Sequence, residues 1–402
     1  MEDKMTTDSK GKIASTIGLV VGVAALLSST AHAQVSISGP VATYTQPRQT
    51  SQAVPAMDYA NARPMPLPLV HKAPPGGPSL STAVIPELLF GAPGFSEGNR
   101  GSAVGGQTHE LAEQLVKAIQ PGPQSDTDEV GPEEYGTALQ PYSTAEVNAL
   151  GDKTASFYPY RATGKLFFNI GTAPFICSAS LIKPGIIVTA AHCVANYGQR
   201  TFYSGWQYVP SYDNGTAPYG VWTVSAVRIL TAYYDGSDNC AVAGVVCPDD
   251  VAVLVATPKN AAYPGSITGW YGYAWNYGSN PQGLKHVTQL GYPRALDQGV
   301  LMQRNDAQGF IDPASSNNTI IGSLMTGGSS GGPWIINFGL PPTLSEGVSF
   351  GAGTGYDYVV HVTSWGYKDN PEIKQQGASP FTDRNIMNLV NVVCTATPAA
   401  CT

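Results

Sequence analysis

From residue 157 to the carboxyl end the chain is written in short apolar runs. Branched and aromatic side chains gather over a few positions, and glycine, proline or asparagine then interrupts them. Stretches 165–170, 178–183, 186–190, 223–230, 251–255, 291–293, 332–336 and 359–364 carry this signature and predict β-strands. Short strands at such spacing, punctuated by turn residues, mean a sandwich or a pair of barrels. One late segment has helical periodicity instead. Over 384–393, Ile386, Leu389, Val390 and Val393 fall on one face, with Thr382 or Asp383 available as the cap.

The region from Gln34 to about Asp152 reads differently. Prolines recur (Pro64, Pro66, Pro68, Pro74, Pro75, Pro78), aromatics are sparse, and acids gather at Asp126, Asp128, Glu129, Glu133 and Glu134. Only 110–120 has helical spacing, through Leu111, Leu115, Ala118 and Ile119, and Pro121-Gly122-Pro123 stops it. Few large apolar residues recur at any period, so this stretch is expected to pack poorly. Residues 34–152 are therefore a pro-segment that assists folding or blocks a site until cut, or else a disordered spacer. Before it, Lys10 and Lys12 precede an uncharged stretch, 13–30, and Ala31-His32-Ala33 offers small residues where a signal peptidase cuts. The alternative, an uncleaved anchor, fits less well, because the stretch is near the minimum spanning length and rich in Ser, Thr and Gly. The expectation is a signal peptide over 1–33 and a secreted chain with no later membrane segment.

Composition narrows the class. With 45 glycines, 32 prolines, 21 tyrosines and only 12% charged residues among 402, few long surface helices are expected. No lysine- or arginine-rich run accompanies the net charge of −7, so nucleic acid has no electrostatic footprint. Export makes disulfides the natural reading of the six cysteines, Cys177, Cys193, Cys240, Cys247, Cys394 and Cys401. Six cysteines allow fifteen pairings. Neighbours would close three compact loops, and a link from Cys177 to Cys193 would brace the backbone beside His192. Such a loop contributes roughly 3 kcal/mol in the chain-entropy account. The chain has no C-x-x-C pair and no H-E-x-x-H, so neither zinc nor another cofactor is expected.

Two peptides carry chemistry. Thr189-Ala190-Ala191-His192-Cys193 puts a histidine at the end of a β-branched run. Gly328-Ser329-Ser330-Gly331-Gly332-Pro333 puts a serine in a glycine-rich turn that enters the apolar strand Trp334-Ile335-Ile336. Imidazole beside a serine hydroxyl is the minimum equipment for a strong nucleophile. Between them, Asp250 heads the aliphatic run Val251-Ala252-Val253-Leu254, with Asp249 adjacent. His71, His109 and His286 have no such context and are expected to be structural or solvent-exposed.

In this order the peptides resemble the chymotrypsin-like serine peptidases, over roughly residues 155–393. The style G-G-S-S-G-G-P-W is similar to bacterial and fungal members near the glutamyl-endopeptidase branch. The resemblance implies two packed antiparallel six-stranded β-barrels, about 155–262 and 263–382, and a C-terminal helix, all within a 153–402 domain. It implies a serine endopeptidase in which Ser330 attacks, His192 moves the proton and Asp250 orients it. The amides of Gly328 and Ser330 would form the oxyanion hole. Ser364-Trp365-Gly366 resembles the strand that pairs with substrate backbone, and Leu324, followed by Met325, stands where the primary pocket is set. Protein or peptide substrates and a monomer are expected. The alternative is a catalytically silent, peptidase-like binding protein.

A second hydrolase class fails. G-x-S-x-G also occurs at the nucleophile elbow of α/β-hydrolases, where the acid and the histidine follow the serine. Only 72 residues follow Ser330 here, and Pro333 would stop the required helix. The chain also departs from the trypsin branch. Where that branch has an aspartate before the serine to pair with a newly cut amino terminus, Ser329 stands, and no I-V-G-G-like segment precedes the first strand. Acid-specific relatives use a histidine close to the S-W-G strand; here Thr363 directly precedes Ser364, and His361 or Lys368 is the nearest candidate.

Overall fold

The computed structural model describes residues 33–46, 54–70, 92–102, 141–148, 153–277, 285–312, 318–339, 357–367 and 374–402. The targeting segment up to His32, the expected helix at 110–120, the acidic cluster at 126–134, His71, His109 and Lys368 lie outside them. Among the described residues no helix is long and apolar enough to cross a membrane.

Six short strands come first: β1 Gln34–Ser38, β2 Val41–Thr45, β3 Arg63–Pro64, β4 Leu69–Val70, β5 Gly94–Ser96 and β6 Tyr142–Glu146. The next eight are β7 Thr163–Ile170, β8 Ala173–Lys183, β9 Ile186–Thr189, β10 Ala195–Asn196, β11 Thr201–Phe202, β12 Ser204–Pro210, β13 Trp222–Leu230 and β14 Ala252–Ala256. The last seven are β15 Gly272–Trp275, β16 Lys285–Gly291, β17 Gln303–Asp312, β18 Asn318–Gly322, β19 Pro333–Ile336, β20 Tyr358–Tyr367 and β21 Gln375–Pro380. Helices are few: α1 Thr231–Asp235, α2 Pro264–Thr268 and α3 Ile386–Ala396.

The pairings close two rings. β7, β8, β9, β14, β13 and β12 form one six-stranded antiparallel barrel, because β12 returns to pair with β7. β16, β17, β18, β21, β20 and β19 form the second, closed by β19 against β16. Closure pairs each of these strands on both sides over part of its length. This is the chymotrypsin-like architecture expected above, with a single long helix at its end. Every residue of β9 and β14 is buried, as their nearly continuous Ile, Val, Leu and Ala content requires; the exception, Thr189, donates its hydroxyl to the Ser178 carbonyl.

Two details differ from the sequence expectation. The cap of α3 is Asn385, whose Oδ1 accepts from Ile386 N at 2.5 Å and from Thr382 N at 2.7 Å. Asn385 N–H donates in return to Thr382 Oγ1 at 3.1 Å, so Thr382 supports the cap without being it. The expected strand at 291–293 is the tail of β16, which runs from Lys285 and ends at Gly291.

The larger difference lies before residue 152. Its described parts include β1, which is exposed throughout, but also the buried residues Val41, Ala42, Leu67 and Tyr142. β2 pairs with β13 at Ala226–Leu230, beyond the two residues that β12 covers, and β6 pairs with β17 at Gln303–Ala307, beyond the reach of β18. A polar segment with no core of its own can still order by completing a ladder whose partner is already in place.

Disulfides join Cys177 to Cys193, Cys240 to Cys247 and Cys394 to Cys401.

Candidate active site

The register of barrel one brings histidine and acid together. β9 ends at Thr189, and the chain turns through a 3-10 segment, Ala191–Cys193, that is tied back to β8 by the Cys177–Cys193 disulfide. Ala252 of β14 faces Thr189, so in an antiparallel pair Asp250, two residues earlier, arrives beside the residues just past Thr189. His192 Nδ1 lies 2.8 Å from Asp250 Oδ2, and His192 N–H donates to Asp250 Oδ1, also at 2.8 Å. Asp249 points elsewhere, accepting from Asn385 Nδ2 at 3.3 Å near the start of α3.

The serine turn comes from barrel two but is locked onto barrel one. Ser178 N–H donates to the Ser330 carbonyl at 2.8 Å, and Ser178 Oγ donates to the Gly328 carbonyl at 2.9 Å. The turn needs its glycines. Gly328 has φ +97° and Gly331 φ +75°, and a Cβ at 331 would overlap Thr189 Oγ1 and the Ser178 carbonyl. Gly331 N–H donates to the Thr363 carbonyl at 2.8 Å, which ties the turn to β20.

That tie carries Ser364 to the acid. Ser364 Oγ donates to Asp250 Oδ2 at 2.6 Å. Asp250, 1% exposed, thus accepts three hydrogen bonds. Sequence reasoning placed Ser364 on a substrate-pairing strand and did not foresee this contact. The β20–β21 register shifts between Thr363 and Trp365 and leaves Ser364 out of the ladder, so strand alternation read from the sequence could not have placed its side chain.

Ser330 Oγ and His192 Nε2 are both buried, and neither has a hydrogen-bond partner among the described residues. The two further acids nearby are held toward their neutral forms: Asp249 by burial, and Asp238 by burial and then by the charge of Asp249. Cys177, His192 and Cys193 form one cluster of potential metal ligands, and Asp238, Cys240 and Cys247 form another. In each the cysteines are joined in a disulfide and offer no thiolate.

The expected specificity residues lie in barrel two, just after β18 and within β20, with Gln376 of β21 between them. Met325 is buried, and its N–H donates to Ser323 Oγ at 3.1 Å. Leu324 is half-buried against the apolar cluster of barrel two. Trp365 is buried against Val246 and Ile320, with Nε1 on Asn318 Oδ1 at 2.8 Å, so its indole serves packing. A neutral polar network not anticipated from sequence lies behind the serine turn. Gln376 Nε2 donates to the Met325 carbonyl at 2.7 Å and to Ser329 Oγ at 3.2 Å, and Ser323 Oγ donates to Gln289 Oε1 at 2.8 Å. His361 is buried between Thr319 and Lys285, at 2.8 and 3.1 Å, and burial, then the lysine, holds its pKa well below the usual imidazole range.

The chain is similar to several known proteins. Extracellular metalloprotease of Bacillus subtilis is 24% identical over 307 residues, covering 71% of this chain and 91% of that protein. Glutamyl endopeptidase of Bacillus licheniformis is 28% identical over 178 residues, covering 43% of this chain and 50% of that protein. Among solved structures, a thermostable serine protease, AL20, from an extremophilic microorganism superposes with a TM-score of 0.47 at 24% identity, over 59% of this chain and 98% of that one. The family model described as Trypsin matches residues 151–385, more than half of the chain. The chain belongs to the trypsin family of serine endopeptidases.

Proposed function

We propose that this peptidase is secreted and hydrolyses peptide bonds through an acyl-enzyme on Ser330, with His192, Asp250 and Ser330 as its catalytic triad. The observation that carries the reading is the doubly bonded His192–Asp250 pair beside the Ser330 turn. An acceptor carboxylate at Nδ1 requires the proton to reside there, which leaves the Nε2 lone pair to serve as base. Ser330 Oγ attacks the substrate carbonyl carbon as its proton passes to Nε2. The amides of Gly328 and Ser330 receive the oxyanion, each such donor contributing on the order of 3 kcal/mol to the transition state. As the C–N bond breaks, the imidazolium returns the proton to the departing amine. Water then enters by the same route: Nε2 takes its proton, hydroxide adds to the acyl carbon, and Ser330 leaves with the proton restored.

The region before about residue 152 acts as a pro-segment, and residues 1–33 direct export. Both readings rest on composition and order along the chain. Sequencing the amino terminus of the active protein from culture medium tests them, and full activity in a species still beginning at Gln34 would defeat the pro-segment reading. For the triad, a fluorophosphonate should label Ser330 and abolish hydrolysis, while a chelator leaves hydrolysis unchanged. Ser330→Ala and His192→Ala should each lower turnover by several orders of magnitude without adding, because the two residues act as one unit. A Ser330→Ala enzyme with a tenth of normal turnover would sink the assignment.

A further inference from the structure

Residues 54–70 cross the site. Their first part is held on barrel one: Gln207 Nε2 donates to the Pro55 carbonyl at 2.8 Å, Tyr59 Oη bonds Gln207 Oε1, and the Tyr59 ring meets Phe167 edge-on. β3 then runs parallel to β8, with Arg63 opposite Phe175 and Pro64 opposite Ile176. Met65 N–H donates to the Ile176 carbonyl at 2.8 Å, and the Met65 carbonyl accepts from Gly328 N–H at 3.2 Å. Further on, the Pro68 carbonyl accepts from Gly366 N–H at 3.0 Å, and β4 continues parallel to β20 along Gly366-Tyr367. Leu67 is 6% exposed and packs against Gly366.

We propose that residues 63–70 are a built-in, non-hydrolysed inhibitor that fills the cleft and takes the amide of Gly328 that the oxyanion would need. The proposal rests on the triad reading above. With Gly328 N–H taken by the Met65 carbonyl and Gly366 N–H by the Pro68 carbonyl, a substrate backbone has neither donor open to it, and Ser330 Oγ and His192 Nε2 are both buried. The sequence of this strap, Arg63-Pro64-Met65-Pro66-Leu67-Pro68, explains why it survives. The carbonyl facing Gly328 belongs to the Met65–Pro66 bond, whose nitrogen lies in a ring and carries no N–H. Alternate prolines pre-set an extended backbone, so little conformational freedom is lost on seating. The segment also adds to β8 and β20 as a parallel edge, a mode of docking in which main-chain bonds supply the hold.

The test uses the full secreted chain. Leu67→Asp places a charge against Gly366, and the triple variant Pro64→Ala, Pro66→Ala, Pro68→Ala removes the pre-set backbone without touching the apolar contacts of Leu67. In the Ser330→Ala background, which cannot process itself, amide exchange at Gly328 and Gly366 should be slow and should quicken about tenfold or more in at least one strap variant. In the Ser330 background, fluorophosphonate labelling of the intact chain, confirmed by mass to retain residues 54–70, should be slower than in either strap variant by about the same factor. Exchange at both amides as fast as in exposed loops would overturn the proposal, as would an intact chain labelled as quickly as both variants. If no form is labelled while exchange still responds to the strap, the triad reading fails, and the inhibitory role falls with it although the seat stands.

Discussion

Ser364 Oγ and His192 Nδ1 share one oxygen of Asp250, at 2.6 and 2.8 Å. The hydroxyl comes from β20 of the second barrel and the imidazole from the turn after β9 of the first, so the carboxylate is held from both sides. A buried carboxylate with its lone pairs satisfied in this way stays put as the charge on His192 changes.

Ser364→Ala should therefore lower kcat with little change in KM. A hydrogen bond to a charged group is worth about 1.5–3 kcal/mol, which corresponds to roughly a tenfold to hundredfold loss. Steady-state kinetics on a fluorogenic peptide checks this, and Ser364→Thr should recover part of the rate because it keeps the hydroxyl. An unchanged kcat in the alanine variant would mean that the two bonds from His192 suffice.

Asp250→Asn should cost several orders of magnitude in kcat, since an amide cannot hold the Nδ1–H tautomer and accept all three donors. Asp249→Asn should be mild, because Asp249 faces Asn385 and makes no contact with His192. The reverse ranking would move the acid by one residue.

Gly331→Ala should prevent the native fold or destabilise it by more than about 2 kcal/mol, because a methyl there meets Thr189 and Ser178 at a positive φ. Thermal melting of the secreted variant decides. Gly171→Ala, also at positive φ but with open space around it, separates backbone strain from overlap and should cost less.

Asp357 supplies a pH-dependent term. Burial pushes its carboxyl up to about 6; Oδ1 accepts from Gly339 N–H at 2.8 Å, while Oδ2 is buried without a partner among the described residues. The folded state thus holds this proton more tightly than the unfolded chain, whose value is 3.8. The stabilisation is complete below the unfolded value and is lost as pH rises through about 6. Asp357→Asn suits the local φ of +59° and removes the term. Its melting temperature should exceed wild type by a few degrees (~2–4 °C) at pH 8 and match it at about pH 3.5. A constant difference across that range would assign the effect to something other than this proton.

Arg and Lys should be poor at the substrate position before the scissile bond. Leu324 and Met325 bring no anion, and the network behind them, Gln289, Ser323 and Gln376, is neutral. A cation there would lose water without a counter-charge, at a cost of several kcal/mol. A library randomised at that position should select uncharged side chains. Selection for Glu would implicate Lys368, since His361 is enclosed by Thr319 and Lys285.

What the sequence determined was whatever local chemistry demands. A β-branched run ending in His192, an aliphatic strand headed by Asp250 and a glycine turn around Ser330 each need particular residue types in a fixed order, and that order survives in one dimension. Strands β7, β9, β13 and β14 were legible because each is a short run of branched and aromatic residues bounded by turn residues. Tertiary structure alone decided the rest. β21, Gln-Gln-Gly-Ala-Ser-Pro, is wholly buried yet has no apolar pattern; its ladder with β18 and β20 and the side-chain bonds of Gln376 hold it. Asp250 could be chosen over Asp249 from its place directly before the aliphatic run, but its second partner, Ser364, came only from the path of β20. The proline-rich stretch at 63–70 reads as a spacer because it has no core of its own. Its bonds are main-chain bonds to strands more than a hundred residues away, and main-chain groups are the same in every residue but proline.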